Sequence, residues 1–230
     1  MTEDEDHRKN PLGATGEMVA DNVKRLRGSL SYRELSERLE ALGRPIPPLG
    51  LSRIEKCTRR VDVDDLVALG AALGVPPVLL LYPVGLVEEV EVLPGRVVPT
   101  WNAAKWFTGE QPLASPGPFG RWGFDPPDAQ TWETGAAPVD LYREHDRLIS
   151  EWKAARNQEG SSRVKASSAA PDEEQRTVYL RQATEHRERA GQAEEQLACV
   201  RSRMYRFGLT PPALTDELAD LDERAGSGRG

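Results

Sequence analysis

Between residues 17 and 82 the apolar side chains recur every three or four positions, but only in short stretches that glycine or proline ends. This spacing predicts helices, because it places the apolar residues of each stretch on one helical face. We predict five helices: 17–27, 32–42, 48–56, a fourth that begins around Asp62 and ends at Gly74, and a short fifth that ends near Tyr82. Five short helices predict one compact all-α domain at residues 17–86.

Two of these helices carry recognisable start signals. Ser31 and Glu34 form a capping-box pattern, in which the hydroxyl and the carboxylate bind backbone N–H groups at the start of the second helix. Asp62, Asp64 and Asp65 place carboxylates at the start of the fourth helix, where the helix dipole favours negative charge. These signals predict where the second and fourth helices begin.

The rest of the chain changes character several times. Four of the five tryptophans lie among prolines and glycines in residues 87–137, for which we predict little regular structure beyond one short strand at 87–93. Helical spacing returns later, on either side of a stretch rich in glycine, serine and alanine. The predicted segments outside the domain are a disordered arm at 1–16, the Trp-rich segment at 87–137, a helix at 138–157, a linker at 158–170, a long helix at 171–208 and an acidic tail at 209–230.

Both predicted C-terminal helices carry an apolar seam with the alternating spacing of three and four residues that is typical of coiled coils. The main seam residues are Leu141, Leu148 and Trp152 on the first helix, and Leu197, Val200, Met204 and Phe207 on the second. The second seam is rich in alanine, so an isolated helix would be marginal and a partner is implied. We expect a homodimer through these helices, and the alternative is closure of the two helices on each other within one chain.

The formal net charge of the chain is −7, and a chain with this overall charge would repel nucleic acid. Residues 17–86 differ, because they hold ten Lys/Arg against nine Asp/Glu, whereas the remainder holds 20 against 28. Nucleic-acid binding is therefore restricted to a local basic patch in the predicted domain.

Cysteine usage and hydropathy indicate the compartment. Cys57 and Cys199 lie far apart and lack the spacing of metal ligands, as expected in a reducing environment. No apolar run reaches the roughly 18 residues that a membrane span needs, and the N-terminus is acidic and polar rather than signal-like. We expect a cytoplasmic protein that contacts no membrane.

One run of residues gives the domain a more specific resemblance. Leu51 and Ile54 place two apolar anchors three residues apart, which leaves Arg53 to point outward from the same helix. With Arg25-Leu26-Arg27, Ser31-Tyr32-Arg33-Glu34-Leu35, Val63-Asp64-Asp65-Leu66 and Ala72-Leu73-Gly74-Val75, this order resembles the Cro/C1-type (XRE) helix-turn-helix family of transcriptional regulators, as an actinobacterial-type member. The resemblance covers residues 17–82.

The resemblance implies a five-helix domain whose third helix enters the major groove of double-stranded DNA. Arg53 is the predicted base reader, because a guanidinium can fork onto guanine O6 and N7. Leu49, Gly50 and Ser52 lie near the N-terminal end of the same helix, where the family places further base contacts. For Leu49 and Ser52 local packing is the alternative interpretation.

Basic and polar residues around the third helix are predicted to contact the DNA backbone, which sets the register of the protein on the duplex. These residues are Lys56, Arg59, Arg60, Arg44, Tyr32 and Arg33. The alternative for the arginines next to this helix is pairing with the aspartates at positions 62, 64 and 65.

The family pattern also implies one structural ion pair, and this chain differs from the pattern at two places. The acid at the position of Glu55 pairs in the family with an arginine of the first helix, which maps to Arg25 here. The family has glycine after the third helix, because left-handed backbone is favoured there, whereas this chain has Cys57. The connector at residues 44–48 is also longer and richer in proline than a tight helix-turn-helix needs.

No nucleophile elbow, phosphate-binding glycine loop, paired-acid site or Cys/His arrangement rises above chance, so we predict no enzyme, no catalytic residue and no cofactor. His145 and His186 lack ligand partners at metal spacing, and we interpret them as buried helix histidines rather than a metal site.

These observations together predict a sequence-specific double-stranded DNA-binding transcriptional regulator that acts by operator occupancy. Two alternatives stay open. One is an adaptor that binds another protein through the C-terminal helices and keeps the helix-turn-helix as a scaffold. The other is a ligand-responsive regulator that senses a molecule with its tryptophans, although packing of these tryptophans against neighbouring helices is favoured.

Overall fold

A computed structural model describes residues 12–113, 115–116, 122–123, 126–169 and 172–222 of the chain. The described part is mainly helical, and the chain divides into two compact units, Met1–Trp132 and Glu133–Gly230. Among the described helices, none combines the length and the apolar character that crossing a membrane requires. The predicted helical character is confirmed, whereas membership of the helix-turn-helix family stays a prediction.

Five helices form the first part of the N-terminal unit. They are α1 (Ala14–Arg27), α2 (Tyr32–Ala41), α3 (Pro48–Glu55), α4 (Val63–Leu73) and α5 (Val78–Leu81). Their positions agree with the predicted stretches to within a few residues. α1 begins earlier than predicted, because Gly13 O accepts the backbone N–H groups of Gly16 and Glu17 at 2.9 and 3.1 Å. The predicted disordered arm is therefore wrong for residues 14–16, and residues 1–11 lie outside the described part.

The start signals of α2 and α4 are confirmed. Glu34 N donates to Ser31 Oγ at 3.2 Å, and Ser31 N donates to Glu34 Oε2 at 2.8 Å. Asp65 N donates to Asp62 Oδ1 at 2.7 Å. Each cap satisfies backbone donors that have no partner within the helix, so both helices begin where the sequence predicts.

A β-hairpin and a sixth helix follow in the same unit. Strand β1 (Glu89–Leu93) pairs antiparallel with β2 (Arg96–Pro99), and α6 (Thr100–Phe107) comes directly after. Five of their residues are buried in the core that α1 to α5 form: Val90, Val92, Val98, Ala103 and Ala104. The predicted short strand at 87–93 is confirmed as β1, but the prediction of little other regular structure in residues 87–137 is wrong, and the predicted boundary at 86 cuts through a continuous hydrophobic core.

The hairpin has a buried face that is too short to stand out in the sequence. β1 turns Val90 and Val92 inward within a strand of five residues. Thr100 N donates to Glu88 O at 2.9 Å and Thr100 Oγ1 donates to Val87 O at 2.6 Å, which ties the start of α6 to the start of the hairpin. Further along the chain, β3 (Ser115–Pro116) pairs antiparallel with β4 (Trp122–Gly123).

Two long helices, α7 (Pro126–Ser168) and α8 (Glu173–Arg206), form a C-terminal hairpin. Their predicted apolar seams pack against each other in one core, through Leu141, Leu148, Trp152, Leu197, Val200 and Met204. The intramolecular alternative is therefore what the structure contains, and these seam residues are buried within one chain. Phe207 follows the end of α8 and is half exposed.

α7 extends beyond the predicted helix at 138–157 at both ends, since it begins at Pro126, and the predicted linker at 158–170 is wrong as far as Ser168 because α7 continues through it. Glu159 is almost fully buried in this stretch and accepts from Arg156 Nη1 at 2.6 Å and from Arg163 Nη2 at 2.7 Å on the same helix. These pairs stabilise helical turns whose glycine and serine content is typical of a flexible chain.

The segment after α8 packs on the hairpin. Leu218 and Leu221 are buried in the hairpin core, and a short 3₁₀ helix covers Asp216–Leu218. The predicted loose tail at 209–230 is therefore wrong for the segment up to residue 222, and residues 223–230 lie outside the described part.

A buried arginine on α8 holds this segment in place. Arg201 Nε donates to Asp222 Oδ1 at 2.9 Å, and Arg201 Nη1 donates to Pro212 O at 2.7 Å. Nη1 also lies 2.9 Å from His145 Nε2, which must accept because a guanidinium only donates. Burial and the charge of Arg201 lower the pKa of His145, so its imidazole is neutral near pH 7. His145 is thus a buried helix histidine, as predicted.

Candidate nucleic-acid interface

Helix α3 lies at the surface of the N-terminal unit with one side buried. Leu51 and Ile54 are fully buried in the core, as the sequence predicts. Leu49 is 64% exposed, Arg53 is exposed and Ser52 is partly buried. The outer side of α3 therefore combines one apolar, one hydroxyl and one guanidinium side chain.

The connector before α3 is hydrogen-bonded to α2, and it packs so closely against position 50 of α3 that a glycine fits best there. Ser36 Oγ donates to the carbonyl oxygen of Ile46 at 2.8 Å, and Ile46 is buried. Gly50 is buried against this turn, where an added Cβ would lie 3.2 Å from Ile46 Cγ2 and 3.5 Å from Pro47 Cδ. The structure therefore gives Gly50 a packing role and does not support its predicted contact with DNA.

Glu55 joins the end of α3 to α1 and α2. Its carboxylate is 3% exposed and accepts from Arg27 Nε at 2.6 Å, Arg27 Nη2 at 3.1 Å and the Tyr32 hydroxyl at 2.7 Å. The predicted partner Arg25 is wrong, because two residues along a helix turn the side chain by about 200°. Arg25 is exposed and donates to Asn22 Oδ1 at 3.0 Å instead.

This cluster is charged and internally satisfied. Burial opposes the ionisation of Glu55, but the hydrogen bonds from Arg27 and Tyr32 outweigh it and lower the pKa of Glu55. The hydrogen bond to Glu55 raises the pKa of Arg27 and the pKa of Tyr32. The Arg27 guanidinium also lies 4.4 Å from the centre of the Tyr32 ring. The Tyr32 hydroxyl therefore orients α3 in this structure, whereas the sequence predicts that it contacts phosphate.

Two predicted phosphate contacts, Arg44 and Arg59, are paired with aspartates. The Asp65 carboxylate is 1% exposed and accepts from Arg44 Nε at 3.1 Å and from Arg59 Nη2 at 2.8 Å. Arg44 Nη2 also lies 2.8 Å from Asp62 Oδ2. The aspartate-pairing alternative therefore holds for both arginines. Because Arg44 precedes α3 and Arg59 follows it, Asp65 anchors both connectors that flank α3.

The remaining predicted phosphate contacts, Lys56, Arg60 and Arg33, have exposed side chains. Arg33 Nε lies 3.7 Å from Glu37 Oε1, and both side chains are mostly exposed, so this pair contributes little. Here the term α3 surface means the side chains of Leu49, Ser52, Arg53 and Lys56, of which Ser52 is partly buried and also hydrogen-bonds to Tyr32. Its electrostatic contribution to DNA binding would come mainly from Arg53 and Lys56.

Cys57 follows α3 in a left-handed backbone conformation. Its φ angle is +57°, in the region that glycine occupies most easily and other residues adopt at a cost. The left-handed backbone conformation expected after α3 from the sequence resemblance is therefore present, but with a side chain in place of glycine. Burial raises the pKa of the Cys57 thiol, so it is protonated at neutral pH.

We expect Cys57→Gly to raise the free energy of unfolding of the N-terminal unit by about 1 kcal/mol, because it removes the Cβ strain at positive φ. Urea unfolding of the full chain, followed by circular dichroism, measures the change. Cys57→Ala is the matched control, since it keeps the Cβ and the strain. Equal stability of the glycine and alanine variants would contradict this explanation.

Trp101 in the Trp-rich segment and Trp152 on α7 lie in different environments. The Trp101 ring is half exposed, and Lys105 Nζ lies 5.5 Å from its centre. Trp152 is buried in the C-terminal hairpin, and its Nε1 donates to Glu194 Oε1 at 2.8 Å. Among the described residues, no group of three or more His, Cys, Asp or Glu side chains could hold a metal ion.

Comparison with known proteins finds no matching family model, no similar curated protein and no similar solved structure. The functional argument therefore depends on the residues themselves. Sequence reasoning missed Arg27 as the partner of Glu55, and it named Asp65 only as an alternative partner of the nearby arginines. The sequence did carry a signal for the pairing of Asp65, because arginines 44, 59 and 60 are three cations that lie near it and only two other aspartates, 62 and 64, are close by.

Proposed function

We propose that this protein binds double-stranded DNA sequence-specifically through the α3 surface and regulates transcription by operator occupancy. The observation that carries the proposal is the two-sided character of α3. Its inner side is fixed by Leu51, Ile54 and the Glu55 carboxylate, while its outer side presents Leu49 and Arg53 to solvent. A short, rigidly held helix of this kind has the dimensions to enter a major groove about 12 Å wide.

Each outward residue has a chemical role in this proposal. Arg53 donates two hydrogen bonds to a guanine edge, Leu49 packs on a thymine methyl group, and Ser52 binds a base edge or a phosphate. Lys56 and Arg60 neutralise phosphates beside the groove. The ion pairs of Asp65 with Arg44 and Arg59 hold the connectors on both sides of α3, which limits the conformational entropy that the chain loses when α3 binds DNA.

Selection of bound fragments from random duplex DNA tests the proposal first. Enrichment of one motif, bound more tightly than scrambled DNA in fluorescence anisotropy at about 0.15 M salt, is the expected result. Failure to enrich any motif, with equal binding to all duplexes, would refute sequence-specific recognition.

Arg53→Ala is expected to weaken binding to the selected motif by about 1 to 3 kcal/mol and to change binding to scrambled DNA little, because a base contact is lost. Anisotropy titrations on both duplexes measure the two effects. Arg189→Ala is a matched control, since Arg189 is an exposed arginine on α8. Equal losses on both duplexes would reassign Arg53 to a phosphate contact.

The expected homodimer needs a different contact surface from the one the sequence suggests. The seams of α7 and α8 are filled by each other, so a second copy cannot use them without opening the hairpin. We propose that two copies meet on adjacent half-sites of the operator, about one helical turn apart. Sedimentation of the protein with and without a two-half-site duplex measures this stoichiometry, and one copy per duplex would refute it.

A protein-interaction adaptor is the second candidate, and a specific observation favours it. Arg44 and Arg59 are neutralised by aspartates, and α2 exposes Glu34, Glu37 and Glu40. These charges reduce the attraction of the unit for phosphate. DNA binding that disappears between low and physiological salt, with no enriched motif, would favour the adaptor.

A further inference from the structure

The N-terminal unit contains a cavity of about 710 Å³ that the α3 surface does not use. It is partly open to solvent and is lined by the start of α1, the connector between α3 and α4, α4, α5, the β-hairpin and α6. Its apolar wall includes Val19, Val61, Leu66, Leu81, Val92 and Phe107. The cavity therefore draws its wall from six parts of the N-terminal unit.

The size of this cavity is typical of ligand sites rather than of packing defects. Pockets for small molecules measure about 300 to 1,000 Å³ and are lined mainly by apolar side chains. The core beside it is tightly packed, since Val23, Leu35, Leu39 and Leu69 are fully buried. Apolar side chains that line an empty cavity lack dispersion contacts on one side, so a bound molecule would supply those contacts.

Three charged residues line the cavity: Arg60, whose side chain is exposed to solvent, and two carboxylates that accept hydrogen bonds from backbone or arginine donors. Asp62 accepts from Asp65 N at 2.7 Å and from Arg44 Nη2 at 2.8 Å. Glu91 Oε1 accepts from Gly95 N at 2.6 Å. A charged ligand would lose its hydration in an apolar cavity whose carboxylates already have donors, which is costly. The lining therefore favours a molecule without charge.

We infer that this cavity is a binding site for an uncharged, mainly apolar small molecule. The site is separate from the α3 surface, none of whose residues lines it, although it shares Arg60 with the proposed phosphate contacts. It also differs from a tryptophan-based sensor, since its apolar wall is aliphatic apart from Phe107. The other candidate occupant is the segment 1–11, which leads directly into Leu12 at the cavity.

The probe for the test is N-phenyl-1-naphthylamine, an uncharged apolar dye whose fluorescence rises in apolar surroundings. Titration into the full chain is expected to give saturable binding of one dye per chain. Thr15→Phe places a ring at a lining position on the first turn of α1 and is expected to weaken dye binding at least tenfold. Thr15→Ser is the matched control and should bind like wild type.

A second measurement locates the dye even if the phenylalanine variant folds poorly. Methyl resonances of Val61, Leu66 and Val92 are expected to shift on dye addition, whereas those of Leu148 and Leu197 in the hairpin should not. Absence of saturable binding, or equal binding by both Thr15 variants, would overturn the site. Binding that appears only after removal of residues 1–11 would also overturn it and assign the cavity to that segment.

Discussion

Ending the chain at Leu86 is expected to prevent the N-terminal helices from folding, whereas ending it at Trp132 is expected to leave a folded unit. The shorter piece loses Val90, Val92 and Val98, which are buried in the core of α1 to α5. Full burial of one valine contributes about 1.5 to 3 kcal/mol, so three contribute about 5 kcal/mol or more. That loss is comparable with the entire stability of a small domain.

Thermal unfolding by circular dichroism, with the dispersion of amide resonances, distinguishes the two pieces. The 1–132 piece should unfold cooperatively and the 1–86 piece should not. A Val98→Ala change in the longer piece is a graded control, because it creates a cavity at a fully buried position without removing the hairpin. Cooperative unfolding of both pieces at the same temperature would show that the hairpin and α6 are dispensable.

Glu55→Ala is expected to lower the free energy of unfolding by about 3 kcal/mol or more, because it leaves the Arg27 guanidinium without its carboxylate partner. Arg27→Ala should be comparably harmful, since it leaves a carboxylate that is 3% exposed without its cation. Arg25→Ala is the matched control and should change little, because Arg25 is exposed and contacts only its own helix. Chemical denaturation measures all three.

The cluster of Glu55, Arg27 and Tyr32 also predicts how the stability of the protein changes with pH. The pKa of Glu55 lies below its ordinary value of 4.5, so folding favours the ionised carboxylate. Its stabilisation is fully present above pH 4.5 and is lost as pH falls through the lower folded-state value. The stability difference between wild type and Glu55→Gln should therefore shrink in acid. A difference that is constant from neutral pH to strong acid would refute an ionised Glu55.

Local signals predicted α1 to α5 well, because each depends on few neighbouring residues. The capping groups Ser31 and Asp62 act within three residues, and the inward direction of Leu51 and Ile54 follows from helix periodicity alone. Those parts of the candidate site that lie on one helix could be predicted for the same reason. The exposed positions of Leu49 and Arg53 on α3 are examples, because helix periodicity alone predicts them.

Features that depend on distant partners were harder to predict. The hairpin needs Val90 and Val98 to meet a core made by earlier helices, and five residues of alternation cannot reveal that. The choice of Arg27 over Arg25 depends on which side of α1 faces α3. Composition suggested a linker around Glu159, but two arginine partners at 2.6 and 2.7 Å stabilise a helix there.

The buried leucines after α8 have a consequence for the order of events during synthesis. Among the described residues, the N-terminal core extends as far as Leu113, whereas the hairpin core requires Leu221, roughly a hundred residues later. At about 5 to 20 residues per second, that interval lasts about 5 to 20 s. The N-terminal unit can therefore fold on the ribosome while the seam of α7 still waits for α8. During those seconds the exposed leucines of α7 are the part of the nascent chain most open to aggregation or chaperone capture.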